Sequence, residues 1–444
     1  MRSFGLSAAV LAMAFVVGPA WAEPQVHSLT VEDAVLLAIA SNAHLLARQA
    51  RVRGAREHES SATGRMLPSV HFFDEYEHYN SSFYLNLGAL SSASPPTSTA
   101  PGFRIRGTDT NTLSVSADQP LLGLFPLSHE RAARARAADA TEADLESAQA
   151  DVREAVEVGY LHLFEAKALE DIAKSSEDEL ADQVQVTRAR VSAGELTNAD
   201  LLRVQVAVAN AKQQEILAHT QGQVAQARLL ATLGLPTDAE DVEFVEPTSL
   251  LANAAETLPL KEAQRLAASA RPELKQLRLQ VESLDHTRRA RLLSLLPDID
   301  AEAAYNHLDG QLLVAPPNSV YVGLKANWNV WDWGATWHEQ RAAAEQTNAA
   351  QHDLEDESRQ IGLEVATSLA EAHAATSAVD VARETIASAE EAYRVTEALL
   401  KAGAATTTDL LDSQAALTQA RLNLIHARYE QALAQVAVAR SVGR

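Results

Sequence analysis

The chain has 444 residues, no cysteine and a formal charge of −22. The missing cysteines exclude disulfides, thiol catalysis, thiolate metal sites and a lipid anchor on an N-terminal cysteine. The acidic balance argues against a nucleic-acid partner, which needs a basic face. Hydrophobic residues make up 47% but aromatics only 5%, a balance drawn from Ala, Val and Leu that points to long, closely packed helices.

In chain order, residues 1–22 read as a secretory signal peptide. Arg2 supplies the positive start, Phe4 to Val17 the apolar run, and Ala20-Trp21-Ala22 the cleavage site, so the mature chain is expected to begin at Glu23. Beyond residue 22 no apolar run reaches the ~18 residues of a spanning helix. Export without such a helix leaves a periplasmic, secreted or β-barrel protein.

The rest is a duplication, with a first repeat over 23–236, a Pro-bearing linker over 237–257 and a second repeat over 258–444. Leu29-Thr30-Val31-Glu32-Asp33-Ala34 matches Leu258-Pro259-Leu260-Lys261-Glu262-Ala263 at an offset of 229, which also carries Leu67-Pro68 to Leu296-Pro297 and Tyr76 to Tyr305. Further on the offset is 209: His129-Glu130 matches His338-Glu339, and Asp200-Leu201-Leu202 matches Asp409-Leu410-Leu411. The first copy therefore carries extra residues, and its Ser91 to Ser98 tract, rich in Ser, Pro and Thr, reads as an exposed loop. The corresponding second loop is expected from about Asn306 to Ser319.

Around each loop lie stretches of period two. Leu113, Val115 and Ala117 alternate with polar residues, as do Ile299, Ala301, Ala303 and Tyr305, and then Val320, Val322, Leu324, Ala326, Trp328 and Val330. A less regular strand surrounds Val70, Phe72 and Tyr76. The lengths suit tilted transmembrane strands with one lipid face and one wet face. Trp328, Trp331, Trp333 and Trp337 crowd the exit of the last strand, where an interfacial aromatic girdle is expected. Four strands cannot close a membrane barrel, so several copies would have to share one; three copies would give twelve strands.

From about Leu127 to Val191, and again from Ala335 to Ala402, the chain has no proline and a single glycine each time, Gly159 and Gly362. Rich in Ala, Glu, Arg and Leu, each stretch predicts a helix of about 100 Å. Gly194 and Gly403 are placed as helix-ending glycines, followed by return helices near Asp200 and Asp409. The last helix shows a heptad seam from Leu410 through Leu417 and Leu424 to Val438.

This duplicated order resembles the TolC-type outer-membrane efflux proteins, through the Leu29–Ala34 opening, the two Leu-Pro pairs and the two Ala-Gly tips, over nearly the whole mature chain. The resemblance implies a mostly α fold with a transmembrane β portion: a homotrimer with a twelve-strand barrel and a helical tunnel, in the bacterial outer membrane with the tunnel in the periplasm. It implies a channel subunit of a tripartite efflux or type I secretion system that exports small molecules, working with a periplasmic adaptor and an inner-membrane pump. It implies no covalent chemistry and no cofactor. By position, the tips that contact the adaptor are Ala193, Gly194, Glu195, Ala402, Gly403 and Ala404. An acidic entrance filter falls on Asp409 and Asp412, three apart on one helix face. Asp200 is the first-copy counterpart of Asp409, but Arg203 stands where Asp412 would be. Leu400 and Ala405 occupy positions where some relatives carry an aromatic and an arginine that close the entrance.

Other chemistry finds no support. Ala133 and Ala342 stand where a zinc helix needs its second histidine after His129-Glu130 and His338-Glu339. His71 and His78 fall on opposite strand faces. No metal site is expected. The competing reading is a periplasmic adaptor or coiled-coil scaffold without a channel. An envelope enzyme with a helical insertion lacks a catalytic constellation.

Overall fold

The computed structural model describes residues 28–85, 103–239, 242–252, 258–311 and 316–444. The signal peptide and the Ser91–Ser98 tract lie outside the described residues. The first repeat runs α1 (Val31–Ser41), α2 (Ala43–Gly64), β1 (Ser69–His78), β2 (Phe83–Leu85), β3 (Phe103–Pro120), α3 (Leu124–Ser192) and α4 (Asn198–Thr232). A short α5 (Thr248–Ala252) precedes the second: α6 (Leu260–Ala270), α7 (Pro272–Leu293), β4 (Asp298–Gln311), β5 (Asn318–Asn327), α8 (Ala335–Lys401) and α9 (Thr407–Ser441).

The two long helices have 69 and 67 residues and span about 100 Å. α3 starts three residues before the expected Leu127 and takes in Pro126. In the first turn proline is tolerated, because its missing N–H would have had no intrahelical partner.

The strands form one antiparallel sheet in the order β1-β3-β4-β5, with β2 also on β3. β3 of the first repeat pairs with β4 of the second, so the sheet itself joins the repeats. Two strands are longer than their alternation indicated. β3 begins at Phe103 and β4 continues to Gln311, through residues assigned to the second loop. These polar extensions are held by ladder pairs such as Asn111↔Asp309, which need no apolar face. β5 stops at Asn327, so Trp328 and Val330 lie past the strand.

The core sits midway along the long helices. Tyr160, Leu163, Leu229, Leu230 and Leu233 pack against Leu29, Val31 and Val35 of the chain's opening. The Tyr160 hydroxyl donates to the Leu29 carbonyl at 2.6 Å. The described part of the expected linker joins this core. Phe244 is buried edge-to-face on Tyr160, and its neighbours bridge Leu29 through Leu29 N–H to Glu243 O and Val245 N–H to Leu29 O. A second cluster gathers Ala263, Leu274, Ile361, Val365 and Val442. A third, of Leu161, Tyr429, Ala432 and Val436, joins α3 to α9.

The α9 seam follows the heptad at Leu410, Leu417 and Ala420, then moves to Tyr429, Ala432 and Val436. A straight helix drifts against a seven-residue repeat, which carries the buried face of α9 round from Leu410 and Leu417 to Tyr429 and Val436.

Beside the core a buried ion cluster ties the repeats. Arg271, 5% exposed, forks onto Glu364 at 3.1 and 2.8 Å and donates to the Arg440 carbonyl at 2.8 Å. Arg440, in the last turn of α9, reaches Asp151 of α3 and Glu273 of α7. Burial pushes the Glu273 carboxyl up, but Arg440 and Ser147 outweigh it and hold it below the usual range.

Candidate functional site

Two regions carry the residues singled out in the sequence: the hairpin tips at one end of the molecule and the sheet at the other.

The two tips have one geometry. Ala193 ends α3, Gly194 sits at φ +79°, and Glu195 N–H and Gly194 N–H return to the Arg190 and Val191 carbonyls at 2.9 and 3.0 Å. At the second tip Gly403 sits at φ +75°, with Ala404 N–H on Leu399 O and Gly403 N–H on Leu400 O. Both are Schellman endings, which need the left-handed conformation that glycine adopts without strain. Each return helix opens with a capping box, Thr197 with Asp200 and Thr406 with Asp409.

The boxes fix what the aspartates do. Asp409 Oδ2 accepts from Thr406 N–H at 2.8 Å and from the Thr406 hydroxyl at 2.7 Å, while Asp409 N–H donates back to Thr406 Oγ1 at 3.2 Å. Asp200 does the same with Thr197. In both cases the threonine bonds hold the carboxyl below the usual carboxylate range. Asp409 is therefore a helix cap, and its Oδ1 stays open to solvent. Asp412 is exposed one turn along and has no ion-pair partner among the described residues. Asp200 faces Arg203 at 3.5 Å, so the first tip is partly neutralised.

The first hairpin also reaches the second. Arg190 donates to the Leu400 carbonyl at 3.4 Å while paired with Glu195 at 3.0 Å, and Arg203 donates to Thr408 at 3.5 Å. Higher up, Glu179 pairs with Arg421 at 2.9 Å, and Glu165 accepts from His426 at 2.7 Å. Of these, sequence reasoning singled out Glu195 and Leu400 by their tip positions and Arg203 through its place opposite Asp412. The contacts of Arg190 with Leu400, Glu179 with Arg421 and Glu165 with His426 join residues more than 200 apart and carry no local pattern.

At the other end the strand register gathers the alternating apolar sets onto one face. Phe72 opposes Val115, Val115 opposes Tyr305, and Tyr305 opposes Val320; Ala117, Ala303 and Val322 follow one step along. Directly opposed residues point the same way, so this face is apolar from edge to edge. The opposite face carries Ser114, Ser116, Asp118, Asp300 and Glu302. The apolar face is not covered: Val320, Val322 and Leu324 are 75, 81 and 73% exposed. A soluble sheet buries such a face.

The tryptophans stand where sheet gives way to helix. Trp328 donates its indole N–H to Leu295 O at 3.2 Å, pinning the exit of β5 to the turn before β4. Trp331 and Trp333 meet edge to face at 5.6 Å. Trp333 is 87% exposed, and is the one non-glycine residue with positive φ among the described residues. Asp332 holds this turn by accepting from the Gly334 and Thr336 N–H groups at 3.0 and 2.9 Å. Trp337 packs on His338, with Arg341 over its ring at 4.8 Å.

The sequence matches the family described as outer membrane efflux protein over residues 35–235 and 263–444, most of both repeats. The chain belongs to the outer membrane efflux protein family. It is 22% identical over 339 residues to the outer membrane efflux protein BepC of Brucella suis, covering 76% of this chain and 72% of that one. Its fold is that of the outer membrane protein VceC from Vibrio cholerae (TM-score 0.78, 14% identity, 93% of this chain and 96% of that one). It is likewise that of the CmeC outer membrane channel of Campylobacter jejuni (TM-score 0.76, 14% identity, 93% and 85%). This efflux protein is an outer-membrane channel subunit, with the helical part on the periplasmic side.

Proposed function

We propose that three copies of this chain close one barrel of about twelve strands and continue it as a helical tunnel. In this reading a periplasmic adaptor and an inner-membrane pump deliver small molecules to the tunnel, and the pump supplies the energy. The observation that carries the assembly is the open sheet. β1 and β5 are unpaired edges, while the face between them is apolar and exposed. In lipid each unsatisfied backbone group costs several kcal/mol, so the edges must find strands of further copies.

The tips then ring the periplasmic entrance. Ala193, Gly194, Glu195, Ala402, Gly403 and Ala404 form the surface offered to the adaptor. Asp412, with the free oxygen of Asp409, lines an acidic constriction that favours cations, and Asp200 adds less because Arg203 faces it. Trp328, Trp331, Trp333 and Trp337 anchor the barrel at the periplasmic lipid interface. Reversible ties from Arg190 and Arg203 to the second hairpin stand in for the closing contacts that Leu400 and Ala405 do not make.

The test is native mass spectrometry of the detergent-extracted protein beside conductance in planar bilayers. Trimers with discrete cation-selective openings support the reading. A monomer without conductance overturns the assembly.

A further inference from the structure

Two histidines from different repeats meet where α3 and α7 run side by side beneath the sheet. His129 Nδ1 and His286 Nδ1 are 3.2 Å apart, with ring centroids at 5.4 Å. His129 lies in the second turn of α3, which leaves β3. His286 lies two turns before the end of α7, which leads into β4. β3 and β4 are partners in the sheet, so the histidine contact continues their pairing into the helices.

A neutral imidazole offers one donor and one acceptor. The contact needs a donating nitrogen on one ring and a lone pair on the other. It survives one added proton, since an imidazolium still donates, but not two, which leave two donors and two like charges.

The surroundings give a second imidazolium little help. On α7, Asp285 is taken by Arg288 and Arg289, each at 2.7 Å, and Glu282 by Arg136 of α3 at 2.9 Å. On α3, Glu130 is paired with Arg65, the residue that caps the end of α2, and Arg131 lies toward Glu59 of α2. On α8, Glu339 faces Arg291 at 3.6 Å. Each of these acids already faces an arginine. Burial first, then the neighbouring His129 and Arg289, hold His286 below its ordinary value of 6.5.

We infer that the His129–His286 contact is an acid-labile tie between the two repeats, closed while at most one ring is charged and released when both are. A histidine with a lowered folded value contributes stability above its unfolded value and loses it as pH falls through the folded one. The tie is intact at neutral pH and is lost as pH falls below the ordinary histidine value of 6.5 through the lowered value of His286. The consequence is a periplasmic channel that loosens just under its sheet when the compartment turns acid.

The experiment is thermal melting of the mature protein in detergent from about pH 7.5 to about pH 5. Wild type is compared with His286→Asn and His129→Asn, since asparagine keeps a donor and an acceptor but never ionises. The wild-type midpoint should fall at the acid end by roughly 2 °C more than that of either variant. Amide protection over residues 124–135 and 280–293, taken relative to the intrinsic exchange rate at each pH, should fall at acid pH in wild type only. Equal acid slopes in all three proteins, or a loss of protection spread evenly along the chain, would overturn the inference. Should one variant fail to fold, the other reads the same contact.

Discussion

Thr406 and Asp409 cap each other: the aspartate accepts from both the threonine N–H and hydroxyl, and its own N–H returns to the hydroxyl at 3.2 Å. One carboxylate oxygen is committed to the fold and the other is free, whereas Asp412 has both free. Asp412→Asn should therefore cut the K+ over Cl− permeability ratio by about two-fold with no change in melting. Asp409→Asn should cut it less, because the Thr406 N–H and hydroxyl already offset part of that carboxylate's charge. Reversal potentials in a salt gradient measure both. Equal effects from the two variants would show that the free oxygens, not the exposed pair, set the field.

The same boxes carry a pH dependence. The folded values of Asp200 and Asp409 are depressed, so their contribution is complete at neutral pH and is lost as pH falls through the folded values, below the ordinary 3.8. Protection of the amides in the first turns of α4 and α9, relative to the intrinsic exchange rate at each pH, should fall below that point and stay constant above it. Thr406→Ala removes the second half of the box and should cost about 1 kcal/mol in the local opening free energy of α9.

Arg271 is the most consequential charge of the core. It joins Glu364 and the α9 carbonyl end while Arg440 joins Glu273 and Asp151, so two repeats and four helices meet there. Arg271→Ala leaves acidic partners unpaired in a half-buried place. Because Glu364 is 46% exposed, the loss is screened, and about 2–3 kcal/mol is expected rather than the larger figure for a sealed pair. Urea unfolding midpoints check it. Since Glu273 is held low, wild type should lose part of this stabilisation as pH falls below the ordinary carboxylate range, and the variant less.

The tips and the sheet separate two kinds of glycine. A Cβ at Gly194 or Gly403 would meet nothing within 4 Å, so alanine there costs only left-handed strain, about 1–2 kcal/mol. Gly310, at φ +81°, would put its Cβ 2.1 Å from the Asp109 carbonyl oxygen. Gly403→Ala should assemble normally and be cleaved faster at the tip by a periplasmic-side protease. Gly310→Ala should fail to assemble, seen as loss of the protein from the outer-membrane fraction.

What the sequence disclosed follows from how local each signal is. Both long helices came from the absence of proline over some 65 residues, and both tip glycines from an Ala-Gly pair repeated at an offset of 209. The apolar face was present as period-two alternation, but its unity across β1, β3, β4 and β5 needed the register. The polar halves of β3 and β4 were missed because ladder bonds, not side chains, hold them. Phe244 was read as linker because a single aromatic in a Pro-bearing stretch has no period. Asp409 was a candidate by position, but its cap depends on Thr406, and the cross-hairpin contacts of Arg190, Glu179 and Glu165 join residues with no sequence relation.

The lipid face gives the sharpest test of the architecture. Val322 lies mid-strand in β5 on the apolar face, opposite Ala303, while Ser114 on β3 lies on the polar face, opposite Phe73 and Asn306. An arginine facing lipid near mid-bilayer costs about 2–4 kcal/mol, and one facing a wet lumen costs little. Val322→Arg should therefore deplete the protein from the outer membrane and reduce the proposed trimer on native gels, whereas Ser114→Arg should assemble and alter conductance instead. If the two variants exchanged outcomes, the sheet would be inside out relative to the membrane. If both assembled equally, the exposed apolar face would be covered by protein and not by lipid.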